Sequence, residues 1–350
     1  WTAPIPLNPN EDGDQPILDV SVSDSTPVAP PEILVLRGQS ATCLDTEGNQ
    51  RWRFSAEDTV RAAASGDVDG DGAVKRLLGA DDEMVYVLDG QGKLERKHHA
   101  NIPLRVGMSS VRQPKVANIA IGDLESDGKP DIIVCLLNGN LLRYDREFNQ
   151  KWRYNAIPHG SRELTLLDLD RDGKQEILLA NKYGAVQILT ANGIVKRGVY
   201  SELGDVEMAW GNVDDDPDYE IACGSSTGAF VCTQFAGKLA FAFPNFGFGV
   251  REVAMADVTG DGGDEVLVAS ETGYVYILDG SGKVLAQRDV GSVVADLCVV
   301  PVPNRDHPVI AICCEDGRVY TMDGEGRLLG ICDTGASNRL VVPVAGPQSQ

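Results

Sequence analysis

Histidine is nearly absent from this chain, with four copies in 350 residues at His98, His99, His159 and His307. That scarcity leaves little material for zinc binding, and no Cys-x-x-Cys or Cys/His spacing supplies it either. Gly-x-Ser-x-Gly and metal-hydrolase spacings are also missing. No apolar run approaches the ~20 residues a membrane-spanning helix needs, which argues against membrane insertion. Positive charge is short: 31 Lys and Arg stand against 52 Asp and Glu, a formal net charge of -21. Without a basic stripe to displace counterions from phosphates, nucleic acid is excluded as a partner. Helical periodicity of useful length is absent as well, leaving strands and turns as building material. Trp1 opens the chain with neither Met nor a signal-like segment, as expected of a processed or trimmed product.

The eight cysteines do not have disulfide-scaffold spacing. Cys135, Cys298, Cys313 and Cys314 sit inside apolar runs, where Cys behaves as a small core residue. Cys223 and Cys232 flank a Gly-Ser-Ser-Thr-Gly turn, and a hairpin there offers them a disulfide.

One acidic phrase, by contrast, is abundant. Asp67-Val-Asp69-Gly-Asp71-Gly72, Asp123-Leu-Glu125-Ser-Asp127-Gly128 and Asp168-Leu-Asp170-Arg-Asp172-Gly173 are close copies. Asn212-Val-Asp214-Asp-Asp216 and Asp257-Val-Thr259-Gly-Asp261-Gly262 are looser ones. The copies recur at intervals of about 45 to 55 residues, a period that marks a repeat architecture. Side-chain oxygens at alternate positions, with a Gly where the backbone turns sharply, resemble the first half of a calcium loop. The ninth position adds Asp131, Glu176, Glu220 and Glu265. An EF-hand would place its bidentate Glu at the twelfth position between helices, whereas apolar strand-like runs flank these loops. A flexible loop of carboxylates suits Ca²⁺ better than Mg²⁺. The expectation is about four Ca²⁺ sites. A fifth, at Asp67, Asp69 and Asp71, is compromised by Lys75 in the ninth position. Thr259 weakens the copy at Asp257. The bland alternative is a solvated acidic turn, since Asp and Gly are ordinary turn residues. Extracellular calcium is abundant enough to fill weak sites, so a secreted, periplasmic or cell-surface setting is expected.

The cleanest unit, residues 162–200, places four short apolar runs between Gly, Asn and Asp turns, which reads as one propeller blade. Its third strand and turn recur as Val85-Tyr-Val-Leu-Asp89-Gly-Gln-Gly92, Val275-Tyr-Ile-Leu-Asp279-Gly-Ser-Gly282 and Val319-Tyr-Thr-Met-Asp323-Gly-Glu-Gly326. Fourth strands include those bearing Trp52 and Trp152, expected to pack between neighbouring blades. Six full units begin near Arg61, Lys115, Arg162, Val206, Arg251 and Ala295, the last without an acidic loop. A seventh is split, with Glu32 to Phe54 supplying strands two to four. Its first strand is either the C-terminal Arg339–Val344, which would close the ring by pairing the two chain ends, or Ile17–Val22. The expected fold is therefore an all-β, seven-bladed propeller of four-stranded blades over 32–345. An extension (1–31) would precede it and a tail (346–350) follow it, with an eighth blade if the chain is longer.

These Asp-x-Asp-x-Asp-Gly loops between strands resemble the FG-GAP/VCBS repeats of integrin-α-type β-propellers and of many secreted bacterial proteins, over about residues 32–345. The resemblance implies calcium between the first two strands of a blade, opposite the ligand face. It implies Asp123, Glu125, Asp127 and Asp131 as one site, and Asp168, Asp170, Asp172 and Glu176 as a second. Asn212, Asp214, Asp216 and Glu220 would form a third, and Asp257, Asp261 and Glu265 a fourth. A fainter similarity to quinoprotein propellers rests on the Asp-Gly-x-Gly turns and the two Trp-bearing strands.

A ligand would then sit on the opposite face. The long inter-blade segment from Lys97 to Gln113 is basic and carries His98, His99, Arg105 and Arg112. Another loop, Phe241 to Phe248, is dense in aromatics, which either fill the space between blades or offer Phe246 and Phe248 for stacking. Arg61, Arg162 and Arg251 each precede the first loop ligand of their blade by the same interval, and Arg339 sits similarly. They either converge on the channel mouth to bind carboxylate or sulfate, or pair with neighbouring-blade carboxylates such as Glu163 and Glu252. Two functions follow. One is a non-catalytic recognition module for a glycan, anionic ones included, or a protein, acting as a monomeric domain or as part of a larger chain. The alternative is a polysaccharide lyase, in which Arg105 or Arg162 neutralises a uronate carboxylate and His98, His99 or His159 takes the adjacent proton.

Overall fold

The computed structural model describes residues 17–23, 31–100, 104–106, 110–112, 114–155, 161–181, 185–200, 205–214, 216–302, 305–335 and 340. Seven four-stranded antiparallel sheets follow one another along the chain as the blades of a propeller. Blade 1 spans 17–55, blade 2 60–99, blade 3 116–155, blade 4 161–200, blade 5 206–243, blade 6 250–289 and blade 7 294–333. A single 3₁₀ turn, Asn245–Gly247, is the one helical element among the described residues. Five of the six start points read from the sequence fall within one residue of a first strand, and the sixth coincides with it.

Blade 1 resolves the choice left open above. Ile17–Ser23 pairs with Glu32–Arg37 and fills the place of the first strand, rather than Arg339–Val344. Its apolar residues Ile17, Val20 and Val22 pack on Ile33, Val35 and Leu44. Of the C-terminal rival only Leu340 is described, and it carries no strand. The sheet thus begins inside the stretch expected to be an extension.

Strand position within a blade dictates composition. Second strands such as Asp131–Leu136, Glu176–Asn181 and Glu265–Ser270 are buried along their whole length. They have a strand on each side and a neighbouring blade against each face, so they read as continuous apolar runs. Fourth strands lie at the rim, where Gln150–Asn155 and Val284–Asp289 are largely exposed. Successive first strands pack on one another around the axis, as Val116–Gly122 does on Val60–Gly66 and Val250–Ala256 on Val206–Gly211.

Turns couple the blades. A Cβ added at Gly193, in the last turn of blade 4, would meet the Trp152 ring of blade 3 at 2.9 Å. Gly92 stands against Trp52 and Gly282 against Phe241 in the same way. Each of these glycines also has a left-handed φ (72°, 76° and 82°), so a side chain is excluded twice over. Both tryptophans pack between blades as expected. The Cys223–Cys232 disulfide is not formed. Cys232 lies opposite Ala222 and Cys223 opposite Val231, so the two thiols fall on opposite faces of the sheet and in different inter-blade cores.

Candidate functional site

Every acidic phrase occupies the turn between the first and second strands of a blade, on one face of the disc. The first carboxylate of each close copy is turned onto its own loop. Asp123 Oδ1 accepts from the Asp127 N–H at 3.1 Å, and its Oδ2 accepts from the Gly128 N–H at 2.7 Å. Asp67 and Asp168 accept from Gly72 and Gly173 in the same way, at 2.9 Å each. Left-handed residues at the fourth position, Ser126 (φ 54°) and Arg171 (φ 53°), bend the backbone to allow it.

The loops differ in what faces their remaining carboxylates. In blade 2, Lys75 Nζ lies 3.6 Å from Asp69 Oδ2, and Arg96 lies 3.5 Å from Asp69 Oδ1. In blade 3 the buried Arg143 forks onto Asp131, with Nε to Oδ1 at 2.7 Å and Nη2 to Oδ2 at 2.9 Å. The same Nη2 reaches Glu125 at 2.8 Å, and Nη1 donates to the Ala191 carbonyl of blade 4. Burial pushes the Asp131 carboxyl up even against the pull of this guanidinium. In blade 4, Lys196 Nζ donates to Asp170 Oδ2 at 2.7 Å and to Glu176 Oε1 at 2.9 Å. In blade 6, Glu265 accepts from the Thr259 hydroxyl and from the Val258 and Thr259 N–H groups, each at 3.0 Å.

Blade 5 has no such filling. Glu220 is fully buried; its Oε2 accepts from the Val213 N–H at 3.0 Å, while its Oε1 has no partner among the described residues. Carboxylate oxygens of Asp214, Asp216 and Glu220 lie within 4.8 Å of one another. Among the described residues no cation pairs with any of the three; Gln234 supplies an amide to Asp214 at 3.0 Å. Asn212 ties the loop by donating to the Asp216 carbonyl at 2.7 Å. Burial, with the charges of Asp214 and Asp216, pushes the Glu220 carboxyl up to about 7. Asp168, Asp170 and Glu176 form a second such cluster, with Lys196 in it.

At the opposite face the arginines are engaged separately. Arg61 forks onto Asp81 in its own blade, its Nη2 lying 2.8 Å from Oδ2, and Lys115 reaches the same carboxylate at 2.8 Å. Arg251 sits 4.0 Å from Glu315 of blade 7. The cause is a recurrent register shift near the start of first strands, at Val60/Ala62, Ser161/Glu163 and Val250/Glu252. Arg61, Arg162 and Arg251 are the skipped residues of these bulges. Of Arg162 only the backbone position is described, and Arg339 lies outside the described residues. The residue after the bulge is Ala62 in blade 2, buried in the core, but Glu163 in blade 4 and Glu252 in blade 6, which meet carboxylates of following blades. Glu163 interacts with Glu207 and Glu252 of the next two blades, and Glu252 with Glu207 and Asp296. Burial first, and these like charges second, push Glu163 and Glu252 far above the usual carboxylate range. Glu163, Glu252 and Asp296 share a place one residue past the bulge, a sequence signal that could have revealed this cluster, whereas Glu207 lies in a first strand without a register shift.

Strands Leu104–Val106 and Ser110–Arg112 form a small hairpin that carries Arg105 and Arg112, whose side chains lie outside the described residues. His98 packs against Tyr144 and Phe148 of blade 3, with ring centroids 4.8 and 4.7 Å away, and burial lowers its pKa. His99 lies 3.5 Å from Glu83. His159 falls outside the described residues.

The aromatic loop divides in two. Phe241 and Phe243 are buried between blades 5 and 6, as the space-filling alternative required. Phe246 is 71% exposed and Phe248 47% exposed. The Phe246 backbone is left-handed (φ 53°), which is costly for a bulky residue. Tyr276 and Phe243 stand behind its ring, each at 6.4 Å, and Tyr274 stacks on Tyr276 at 5.9 Å.

The family described as the lambda-carrageenase beta-propeller domain matches residues 220–335, less than half of the chain. No curated protein matches. Solved structures share the fold at low identity. Sqt1 of Saccharomyces cerevisiae is 10% identical with a TM-score of 0.68, over 96% of this chain and 91% of that one. BamB from Moraxella catarrhalis is 16% identical with a TM-score of 0.61, over 92% and 90%. BBS1N, crystallised in complex with ARL6DN, is 12% identical with a TM-score of 0.61, over 88% and 90%. The blades are those of a seven-bladed β-propeller, and the matched family points to a carbohydrate-related one.

Proposed function

We propose that this chain is a calcium-braced carbohydrate-recognition propeller of the FG-GAP type that acts outside the cell. It holds a sugar ring on the aromatic loop between blades 5 and 6, on the face away from the acidic loops. The observation that carries this reading is Phe246, exposed and held in a strained conformation over a bed of Tyr276 and Phe243. A ring fixed this way offers a flat apolar face at little entropic cost on binding. Arg251, half-exposed at the start of the adjoining strand, is placed to meet an anionic substituent. The lambda-carrageenase family match supports the reading because its span includes this loop.

For the metal, the fit is loop-specific. The Asp214, Asp216 and Glu220 oxygens, one of them buried without a partner, suit a hard divalent cation. Such an ion would neutralise their charge and brace the loop.

The test is affinity electrophoresis through gels containing lambda-carrageenan or neutral agarose. Retardation by at least one polysaccharide, lost in Phe246→Ala/Phe248→Ala while the melting temperature holds, is the expected outcome. A wild-type protein that no polysaccharide retards defeats the carbohydrate reading. Undiminished retardation of the double variant defeats the assignment to this loop.

A further inference from the structure

The five acidic loops share a phrase, yet three of them already hold a positive charge where a metal ion would go. Arg143 in blade 3 and Lys196 in blade 4 each bridge the third-position carboxylate and the ninth-position carboxylate. In blade 2, Lys75 has replaced the ninth carboxylate and faces the third. A divalent ion entering blade 3 would have to expel a buried guanidinium from its fork, leaving that charge unpaired, which costs several kcal/mol. In blade 6, Thr259 satisfies Glu265 with protein donors alone.

Blade 5 differs at the two places from which these cations come. Register puts Cys232 where blade 3 has Arg143, since Ala222 pairs with Cys232 as Ile133 pairs with Arg143. In the fourth strand, Ala240 stands where blade 4 has Lys196, each one residue before the partner of the third strand. With both cations gone, Glu220 is buried with a bare oxygen turned toward Asp214 and Asp216. A buried carboxylate oxygen left without a donor is costly, and the two exposed aspartates add repulsion.

We infer that the chain carries one divalent-cation site, built from Asp214, Asp216 and Glu220, and that side-chain cations have replaced the ion in blades 2, 3 and 4. This rests on the calcium-braced part of the function proposed above, and it narrows about four expected sites to one.

Calorimetric titration of the chelated, dialysed full chain with CaCl₂ tests it. Expected are about one ion per chain and weakening by at least about tenfold in Glu220→Gln or Asp214→Asn, because ligand charge sets affinity. Glu176→Gln should leave the stoichiometry unchanged, and Lys196→Ala should raise it to about two. Glu220→Gln keeps an acceptor for the Val213 N–H and relieves the repulsion, so its melting in EDTA should be no lower than that of the wild type. Should it not fold, the exposed Asp214→Asn decides. Three or four ions in the wild type overturn this inference while leaving a calcium-braced propeller intact, as does unweakened binding by the variants. No ion at all overturns both. Retardation by polysaccharide is read in a separate experiment and bears on neither result.

Discussion

The loops of blades 3 and 5 begin from the same acidic phrase and reach different electrostatic ends. In blade 3 a buried guanidinium lies between Asp131 and Glu125. In blade 5 the matching carboxylates face one another with no cation among the described residues, and one oxygen has no donor. The phrase thus specifies a hollow of negative charge and leaves its filling to residues further along the chain. A cluster of carboxylates elsewhere shows another solution. Glu163 and Glu252 gather with Glu207 and Asp296, and burial with these like charges favours the protonated form of Glu163 and Glu252. Guanidinium and proton are two answers to one problem, and the metal ion proposed for blade 5 would be a third.

Breaking the blade 3 arrangement should have the largest effect. Arg143→Met removes the fork and leaves Asp131 buried and unpaired, so urea denaturation should show a loss of roughly 3–5 kcal/mol. A loss under about 1 kcal/mol would mean the pair is solvated and the contrast with blade 5 is superficial.

Making blade 5 resemble blade 4 comes next. Ala240→Lys, at an exposed rim position, should place an ammonium near Asp214 and Glu220. Saturating calcium stabilises a native-only site by about 3 kcal/mol at a hundredfold excess over Kd. The variant should lose most of that calcium-dependent rise in melting temperature while melting higher than the wild type in EDTA. An unaltered calcium response would break the equivalence of Lys196 with an ion.

The smallest effect concerns the proton-filled cluster. Glu163 and Glu252 have folded-state pKa values raised above their unfolded ones, so the folded chain binds more protons. Their contribution is fully present below the unfolded value near 4.5 and is lost as pH rises toward about 9. Among the described residues the charged groups facing them include Glu207 and Asp296, both acidic, which strengthens the trend. Denaturation midpoints should therefore fall from about pH 5 to about pH 9, and Glu163→Gln should flatten that slope by about 1–2 kcal/mol. An equal slope in the variant would remove this cluster from the explanation.

How legible all this was depended on how local the signal is. Blade count, strand order and the packing of Trp52 and Trp152 follow from turn residues and period-two runs, which the chain repeats openly. The acidic loops were equally visible. Their fillings were not, because Arg143 and Lys196 lie 12 and 20 residues beyond the ninth-position carboxylate they meet, and only blade register brings them there. The period of the arginines is legible in the sequence, but the partners of their side chains are not. One skipped residue in the ladder takes Arg61 out of register and lets it meet Asp81 of its own blade. Cys223 and Cys232 failed for a similar reason, since a single step of register separates two faces.

The aromatic locks on the turn glycines carry a consequence for how the disc comes apart. Trp52, Trp152 and Phe241 seal three junctions. At the alternate ones the same strand position is Arg96, lying over Phe148 at 5.0 Å, and Arg197, which donates to the Phe235 carbonyl. Between blades 6 and 7 that position is Ala286, a lone methyl 3.1 Å from where a Gly326 Cβ would stand. At this turn a methyl group replaces the ring or guanidinium, and Arg288 adds two hydrogen bonds to the Gly326 carbonyl, at 2.9 and 2.7 Å. Under tension the outer rim of this junction should loosen before its apolar core, which joins blades 6 and 7 through Val258, Leu267, Ile310 and Met322.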